Sequence, residues 1–338
     1  MTAAPPGPFS YPTGDVTLVR GQGVRLWDDT GRRYLDGISG TFNLPLGHGH
    51  PRVVAAVREQ AGTLAYASSS FQTRPVRELA AALVRLSPPH LTRVHLRSTG
   101  GSTANEGAIR IAQHATGRRD VVTMFRGHLG QTIATAGMSG YASRRAPFPA
   151  SVAGRLVVPD PYCFRCFYRQ RPQDCGLWCV ERIADFLRYA GDGQAAAVLV
   201  EPVCGVGGNV VPPPGYLAEL RRFCDERGIV LVFDEVQTAF GRTGHMFAAD
   251  HFGVAPDMIT VAKGLSGLGL PLGAVLLTDR LAGLDRQYHS FTSGGQPLAA
   301  AAALATLEVI TAPGFLDRVR RVGGLLMGEL TALRSVFP

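Results

Sequence analysis

Apolar and polar positions along the chain alternate between two textures. Short runs rich in β-branched and apolar residues recur at Thr92–Arg97, Val121–Phe125, Ala196–Glu201, Ile229–Asp234 and Met258–Ala262, and each predicts a strand. Between them, helical spacing predicts helices over Thr103–Thr116 and Tyr216–Arg227. The Ala-rich stretch Leu298–Ile310 is too short to cross a membrane and contains Glu308, so it predicts a buried helix. Strands alternating with helices imply an α/β fold, a mostly parallel central sheet flanked by helices on both faces. No internal repeat is visible. Met1–Pro12 carries four prolines without periodicity and is expected to be disordered.

In such a sheet, ligands sit at the carboxyl ends of the strands. That rule directs attention to Gly100-Gly101-Ser102, to Asp234-Glu235 and to Lys263.

Composition sharpens the third of these. Lys+Arg number 34, yet Lys263 is the only lysine, leaving 33 arginines. Lysine is normally among the commonest residues, and a surface charge accepts arginine readily. What arginine cannot supply is a deprotonatable primary amine, above all for Schiff-base chemistry. The other bulk numbers exclude classes. With 46% hydrophobic and 18% charged residues the chain can bury a large core, as one big or two modest domains. The net charge of +8 is spread over scattered arginines and pairs such as Arg32-Arg33, Arg118-Arg119 and Arg221-Arg222. No aromatic-interleaved basic stripe appears, so nucleic acid is not the expected partner. Neither a secretory signal nor a membrane-spanning apolar run is present, and a cytoplasmic location is expected.

Each of the three points has its own chemistry. Ser98-Thr-Gly-Gly-Ser-Thr-Ala-Asn-Glu106 runs from a strand end into a helix start. Its glycines allow close backbone approach, and free amides at the helix N-terminus suit a phosphate, though Gly-Ser caps are also common without any ligand. Asp234 follows an apolar strand in a site expected to be partly buried. A buried carboxylate needs a positive partner, either an arginine in a structural salt bridge or a protonated ring nitrogen of a cofactor. Lys263 ends the next strand before a Gly-rich loop, Leu265–Gly269, and burial there would lower its pKa. Taken together in this order, the three describe pyridoxal phosphate (PLP) binding: phosphate at a helix N-terminus, Asp to the pyridinium, Lys to the aldehyde carbon.

From roughly Asp15 to Ile310 the chain also resembles the class III (ornithine/4-aminobutyrate/ω-amino-acid type) aminotransferases. The matching segments are Asp29-Thr-Gly-Arg-Arg-Tyr-Leu-Asp36, Gly47-His-Gly-His-Pro51, Gly101-Ser-Thr-Ala-Asn-Glu106, Glu201-Pro202, Asp234-Glu-Val-Gln237, Ala262-Lys-Gly264 and Thr292-Ser-Gly-Gly-Gln-Pro297. The resemblance implies the PLP-dependent transferase fold type I (aspartate-aminotransferase-like) and an enzyme moving an amino group from an amine or amino acid to a 2-oxo acid such as pyruvate or 2-oxoglutarate. By position, Lys263 forms the internal aldimine and shuttles the proton, while Asp234 keeps the ring nitrogen protonated. Gln237 contacts the ring hydroxyl, Val236 and Phe125 pack on the two ring faces, and Gly101 and Ser102 hold the phosphate. Thr292 reaches the phosphate of the neighbouring subunit, which implies a homodimer with a shared active site. His48 and His50 look like metal ligands in isolation, but in this context their loop is expected to shape the entry into a helix. The implied division is an N-terminal arm and small-domain segment over 1–45, a large PLP-binding domain over 46–310, and the start of a truncated C-terminal small domain over 311–338.

The chain also departs from the family pattern. His128 stands where ornithine and 4-aminobutyrate enzymes carry a substrate-carboxylate arginine, Val206 where they carry a gating glutamate, and Thr41 where they carry an aromatic. Val206 in Cys204-Gly-Val-Gly-Gly208 is closer to the alanine–glyoxylate and phosphoethanolamine-lyase branch. Members of the family usually continue for about another hundred residues, the size of a small domain, and carry there an arginine for the substrate carboxylate. A PLP-dependent lyase, decarboxylase or racemase of the same fold, or an inactive relative acting as a dimer partner, is therefore the alternative. A further departure is an insertion-like segment over 160–180 with Cys163, Cys166, Cys175 and Cys179. Their close spacing is compatible with a structural zinc or an iron–sulfur knuckle, with reduced packing thiols, or with a redox disulfide. Cys204 and Cys224 read as apolar filler.

Overall fold

The structure, a computed structural model, describes residues 14, 16–146 and 152–337, with the backbone alone at 144 and 145. The disorder expected for Met1–Pro12 lies outside the described residues. Three short strands, β1 (Leu18–Gln22), β2 (Arg25–Asp28) and β3 (Arg33–Leu35), form an antiparallel meander. The remaining seven form one sheet: β4 (Arg93–Ser98), β5 (Val121–Met124), β6 (Arg155–Val158), β7 (Ala197–Val200), β8 (Val230–Asp234), β9 (Met258–Val261) and β10 (Gly273–Leu277).

Their spatial order is β4-β10-β9-β8-β7-β5-β6. β6, β5, β7, β8 and β9 run parallel, and β10 is antiparallel to both its neighbours. Burial explains the order. Every residue of β5, β7, β8, β9 and β10 is buried, whereas β4 and β6 at the two edges are only partly so. A run apolar at consecutive positions is stable only between two covered faces. Along β8 the side chains alternate, with Val230 and Val232 in one core cluster and Leu231 and Phe233 in the other. The helix Gly101–Thr116 covers one face through Ala108, Ile109, Ile111 and Ala112. The helix Tyr216–Arg227 covers the other through Tyr216, Leu217, Leu220 and Phe223.

All five expected strands are present, and the helices over Thr103–Thr116, Tyr216–Arg227 and Leu298–Ile310 appear as Gly101–Thr116, Tyr216–Arg227 and Pro297–Ile310. The third is buried along most of its length and packs against the helices Pro51–Thr63 and Arg74–Leu86. No single described helix is long and apolar enough to cross a membrane. Sequence patterning missed β6, an edge strand of four residues, and β10, whose apolar run follows a stretch broken by Gly and Pro.

The Gly47-His-Gly-His-Pro51 loop does shape the entry into a helix. Gly47 and Gly49 have φ of +76° and +63°, and Pro51 opens the helix Pro51–Thr63. A Cβ on Gly47 would lie 2.7 Å from the Gly23 carbonyl oxygen. His48 Nε2 is held 2.8 Å from Asp36 Oδ2.

Candidate active site

Parallel strands end side by side, so residues distant in sequence meet along one edge of the sheet. β8 ends at Asp234, and Lys263 follows one residue beyond the Ala262 that succeeds β9. The helix Gly101–Thr116 starts just after β4. Between these ends opens a cavity of about 300 Å³. Eight of the residues expected at the site line it: Thr41, Gly101, Ser102, His128, Asp234, Val236, Gln237 and Lys263.

Asp234 is buried at 4% exposure, and among the described residues it makes no ion pair. Its Oδ2 accepts from Asn105 Nδ2 at 2.7 Å, and its Oδ1 from the Val236 N–H at 3.0 Å and Thr260 Oγ1 at 3.4 Å. Thr260 Oγ1 also donates to Asn105 Oδ1 at 2.7 Å, which fixes the amide so that its NH₂ faces the carboxylate. Burial nevertheless pushes the Asp234 carboxyl above its ordinary value, against those hydrogen bonds and the Lys263 charge. A carboxylate held in place by neutral donors, aimed into a cavity and still short of a cation, fits a protonated ring nitrogen. The arginine salt bridge that the sequence left open is not there.

Lys263 sits in a 3₁₀ turn over Lys263–Leu265 with φ of +30°, a left-handed value for a residue bearing a side chain. Its Nζ donates to Gln237 Oε1 at 2.7 Å and stands 5.7 Å from the Phe42 ring centroid. Burial lowers its pKa and Arg242 pulls the same way, while Asp234 and Glu201 oppose them. The amine is thus nearer to its nucleophilic, neutral form than a surface lysine.

The residues expected at the phosphate are packed for close approach. A Cβ on Gly101 would sit 2.8 Å from Val236 Cγ1, so glycine is required for Val236 to lie against the helix start. Ser102 Oγ accepts from the Gln131 N–H at 3.0 Å. Thr103 Oγ1 accepts from the Thr99 and Gly100 N–H groups at 2.9 and 3.1 Å, closing the turn before the first helical amides, which have no intrahelical acceptor.

Two expected site residues lie outside the cavity lining. Phe125 follows β5, and its ring meets Phe167 edge-on at 5.3 Å. Thr292 is exposed, and its carbonyl accepts from Gln296 Nε2 at 3.0 Å. Sequence reasoning in turn missed the roles of Asn105, Thr260, Phe42 and Arg242. Asn105 lay inside a quoted motif one turn into its helix, on the side facing the sheet. Arg242 Nη2 donates to the Phe42 carbonyl at 3.2 Å, bracing a loop in which Ser39, Gly40 and Phe42 all have positive φ; nothing local in sequence signals this.

The cysteine segment corrects an expectation. Among the described residues no group of three or more His, Cys, Asp or Glu side chains is placed to hold a metal ion. Cys163, Cys166, Cys175 and Cys179 are free thiols lining a small, mainly apolar cavity beside Tyr162 and Trp178. Burial and the neighbouring thiols push Cys163 up and Cys179 to about 12. The zinc or iron–sulfur knuckle is thus not supported, and the four cysteines stand as free thiols.

Glu235, next to the site, is structural. Fully buried, it accepts from the Ala248 and Ala249 N–H groups at 2.6 and 2.8 Å and from Thr238 Oγ1 at 3.1 Å. Burial still raises its pKa to about 7.

Comparison with known proteins gives this geometry a family. Residues 10–336 match the family described as Aminotransferase class-III. The chain is 39% identical over 331 residues to an acetylornithine aminotransferase of Streptomyces coelicolor, covering 96% of this chain and 75% of that protein. It is 34% identical over 331 residues to a leucine/methionine racemase of Thermococcus litoralis, covering 95% and 73%. Among solved structures, an amine transaminase from an uncultivated Pseudomonas species in its PLP-bound form superposes with a TM-score of 0.89 at 32% identity, over 99% of this chain and 80% of that one. The chain belongs to the class III aminotransferases, PLP-dependent transaminases of fold type I.

Proposed function

We propose that the cavity beside Lys263 binds PLP and that the protein transfers an amino group from an amine or amino acid to a 2-oxo acid. One observation carries this reading: Asp234, buried and without an ion pair, shares a single cavity with the amine of the chain's only lysine. When bound, the cofactor supplies an electron sink for the bond broken at the substrate's reacting carbon. The rest is the protein's work. Asp234 holds a proton on the ring nitrogen, oriented by Asn105 and Thr260. Gly101, Ser102 and the adjoining helix amides bind the phosphate. Val236 packs on one ring face. Gln237, which accepts from Lys263 Nζ, stands at the ring hydroxyl. Lys263 is the residue that would bond the cofactor's aldehyde carbon and, once free, would hold and move the proton at the substrate's reacting carbon. We assign Phe125 to the other ring face, with Phe167 buttressing it, and Thr292 to the phosphate of a second subunit. The division at 1–45, 46–310 and 311–338 is part of the same proposal.

Thr41, His128 and Val206 line the same cavity, and we assign them to its substrate side. A racemase of the same fold is the second reading, favoured by the similarity to the leucine/methionine racemase. The test is to purify the PLP-supplied protein and add single donor amines without an oxo acid. Conversion of the visible cofactor band to the amino form supports half-transamination. Loss of optical activity without net amino transfer supports the racemase, and ammonia or phosphate release a lyase. A folded protein with no cofactor band ends all three.

A further inference from the structure

Glu201 directly follows β7, and β7 pairs with β8 in a register that sets Val200 beside Phe233. The next residues along the two strands are Glu201 and Asp234, so two carboxylates stand side by side at the sheet's edge, both lining the cavity. Among the described residues neither makes an ion pair. What holds Glu201 most closely is backbone, with Cys204 Sγ farther off at 3.9 Å from its Oε1. Its Oε1 accepts from the His128 N–H and its Oε2 from the Gly205 N–H, both at 2.9 Å.

Those two amides belong to different loops. One follows Phe125 and carries His128; the other, closed by paired backbone bonds between Cys204 and Val210, carries Val206. Cys204 Sγ ties the loops again through the Arg126 carbonyl at 3.2 Å. The second loop fits with no slack, since a Cβ on Gly205 would overlap the Gln237 amide that accepts from Lys263. A carboxylate is the only side chain that accepts with both ends at this reach, because an amide accepts with one and donates with the other.

We propose that Glu201 is a positioning residue for amino transfer: its two carboxylate oxygens fix the His128 and Val206 walls of the substrate side, and its charge, alongside that of Asp234, sets the proton affinity of Lys263. The electrostatics agree in direction. Burial and the Asp234 charge raise Glu201 to about 7, and Glu201 in turn raises Lys263. The groups facing Lys263 are Asp234, Glu201 and Arg242.

This inference rests on the aminotransferase reading, yet half of its test needs no cofactor. Because Lys263 is the only lysine, reductive ¹³C-methylation of the cofactor-free chain leaves one lysine signal, resolved from that of the amino terminus, whose pH titration reports Lys263 alone. Glu201→Gln should move that titration to lower pH, and Glu201→Asp, which keeps the charge, should leave it near wild type. In the PLP-loaded enzyme both variants should shift the ratio of kcat/KM between a small and a bulky donor amine by about tenfold, the scale of a displaced pocket wall. Circular dichroism verifies folding, and if Glu201→Gln does not fold, the Glu201→Asp donor ratio decides. An unmoved Lys263 titration in folded Glu201→Gln overturns the electrostatic role, and an unchanged donor ratio overturns the positioning role. A wild type that neither binds PLP nor transaminates defeats the aminotransferase reading instead, and leaves the titration standing as its own result.

Discussion

Two stretches of this chain carry reactive residues at regular spacing, and they fold to opposite ends. The carboxyl edge of the sheet gathers Asp234, Lys263 and the Gly101–Ser102 turn from positions far apart in sequence. The 160–180 segment holds four cysteines within 17 residues, and places them as free thiols around a mainly apolar cavity. The difference lies in what supports each residue. Parallel pairing puts strand ends in register, so a residue one step past a strand has its place determined by the whole sheet. The cysteines lie on a 3₁₀ turn, irregular backbone and a four-residue helix, where spacing alone does not aim a side chain. Sequence spacing is informative about chemistry where secondary structure converts it into geometry.

The strongest way to break this contrast is at the sheet edge. Lys263→Arg keeps a cation and removes the deprotonatable amine, and amino transfer should fall by at least about 10³-fold. Steady-state assay, with loss of the visible cofactor band, checks it; a variant retaining more than a tenth of wild-type rate defeats the assignment. Next in size is Asp234→Asn, which keeps the shape and removes the charge facing the ring nitrogen. A fall of about 10²–10³ in kcat is expected, with PLP still bound. Equal activity would mean that Asp234 acts only as a structural hydrogen-bond hub.

A smaller effect is thermal. Glu235 and Glu201 both have native pKa values raised to about 7, against an ordinary glutamate near ~4.3. A raised acid gives stability that is present below the unfolded pKa and lost as pH rises through the folded one. These two glutamates should therefore lower stability from about pH 4.5 to 7, against the opposite contribution of buried His95, held down to about 4. The sign is read from the difference: relative to wild type, Glu235→Gln should lose part of any fall in melting temperature across the window. Calorimetry of both proteins across the window checks it, and a Glu235→Gln profile parallel to wild type contradicts it. Least affected should be the cysteine segment. Replacing Cys163 and Cys166 together by Ser is expected to change kcat by less than about threefold and to cost about 1–2 kcal/mol of stability, in line with ordinary substitutions in partly buried sites. Metal analysis of protein purified without chelator sharpens the point: one equivalent of bound zinc or iron per chain would reverse the thiol assignment.

Much of the sheet-edge site was legible before any coordinates, for the same reason. Asp234 and Lys263 each follow a run of consecutive apolar residues, a pattern that marks a buried strand and hence a strand end. Gly101 was legible as a helix start, though the need for glycine there comes from Val236, 135 residues away. What could not be read was whatever depends on a neighbour from another element. Asn105 and Thr260 are unremarkable in sequence and become the clamp on Asp234 only when the helix lies across β8 and β9. The edge-on contact of Phe125 with Phe167 from the cysteine segment has no signal in the local sequence either. β6 and β10 escaped because an edge strand buries only part of its surface and because Gly and Pro mask the run before β10.

By itself, the sequence determined the alternation of strand and helix, the strand ends at which chemistry must sit, and the one position where arginine was not accepted. These follow from local periodicity and side-chain chemistry, which the chain carries everywhere. The tertiary structure decided which residues share the cavity, that Asp234 makes no ion pair among the described residues, that the four cysteines line an apolar cavity as free thiols, and that one glutamate grips two loops. Those depend on the packing of elements far apart in the chain, and only the assembled sheet and its helices bring them within hydrogen-bonding reach.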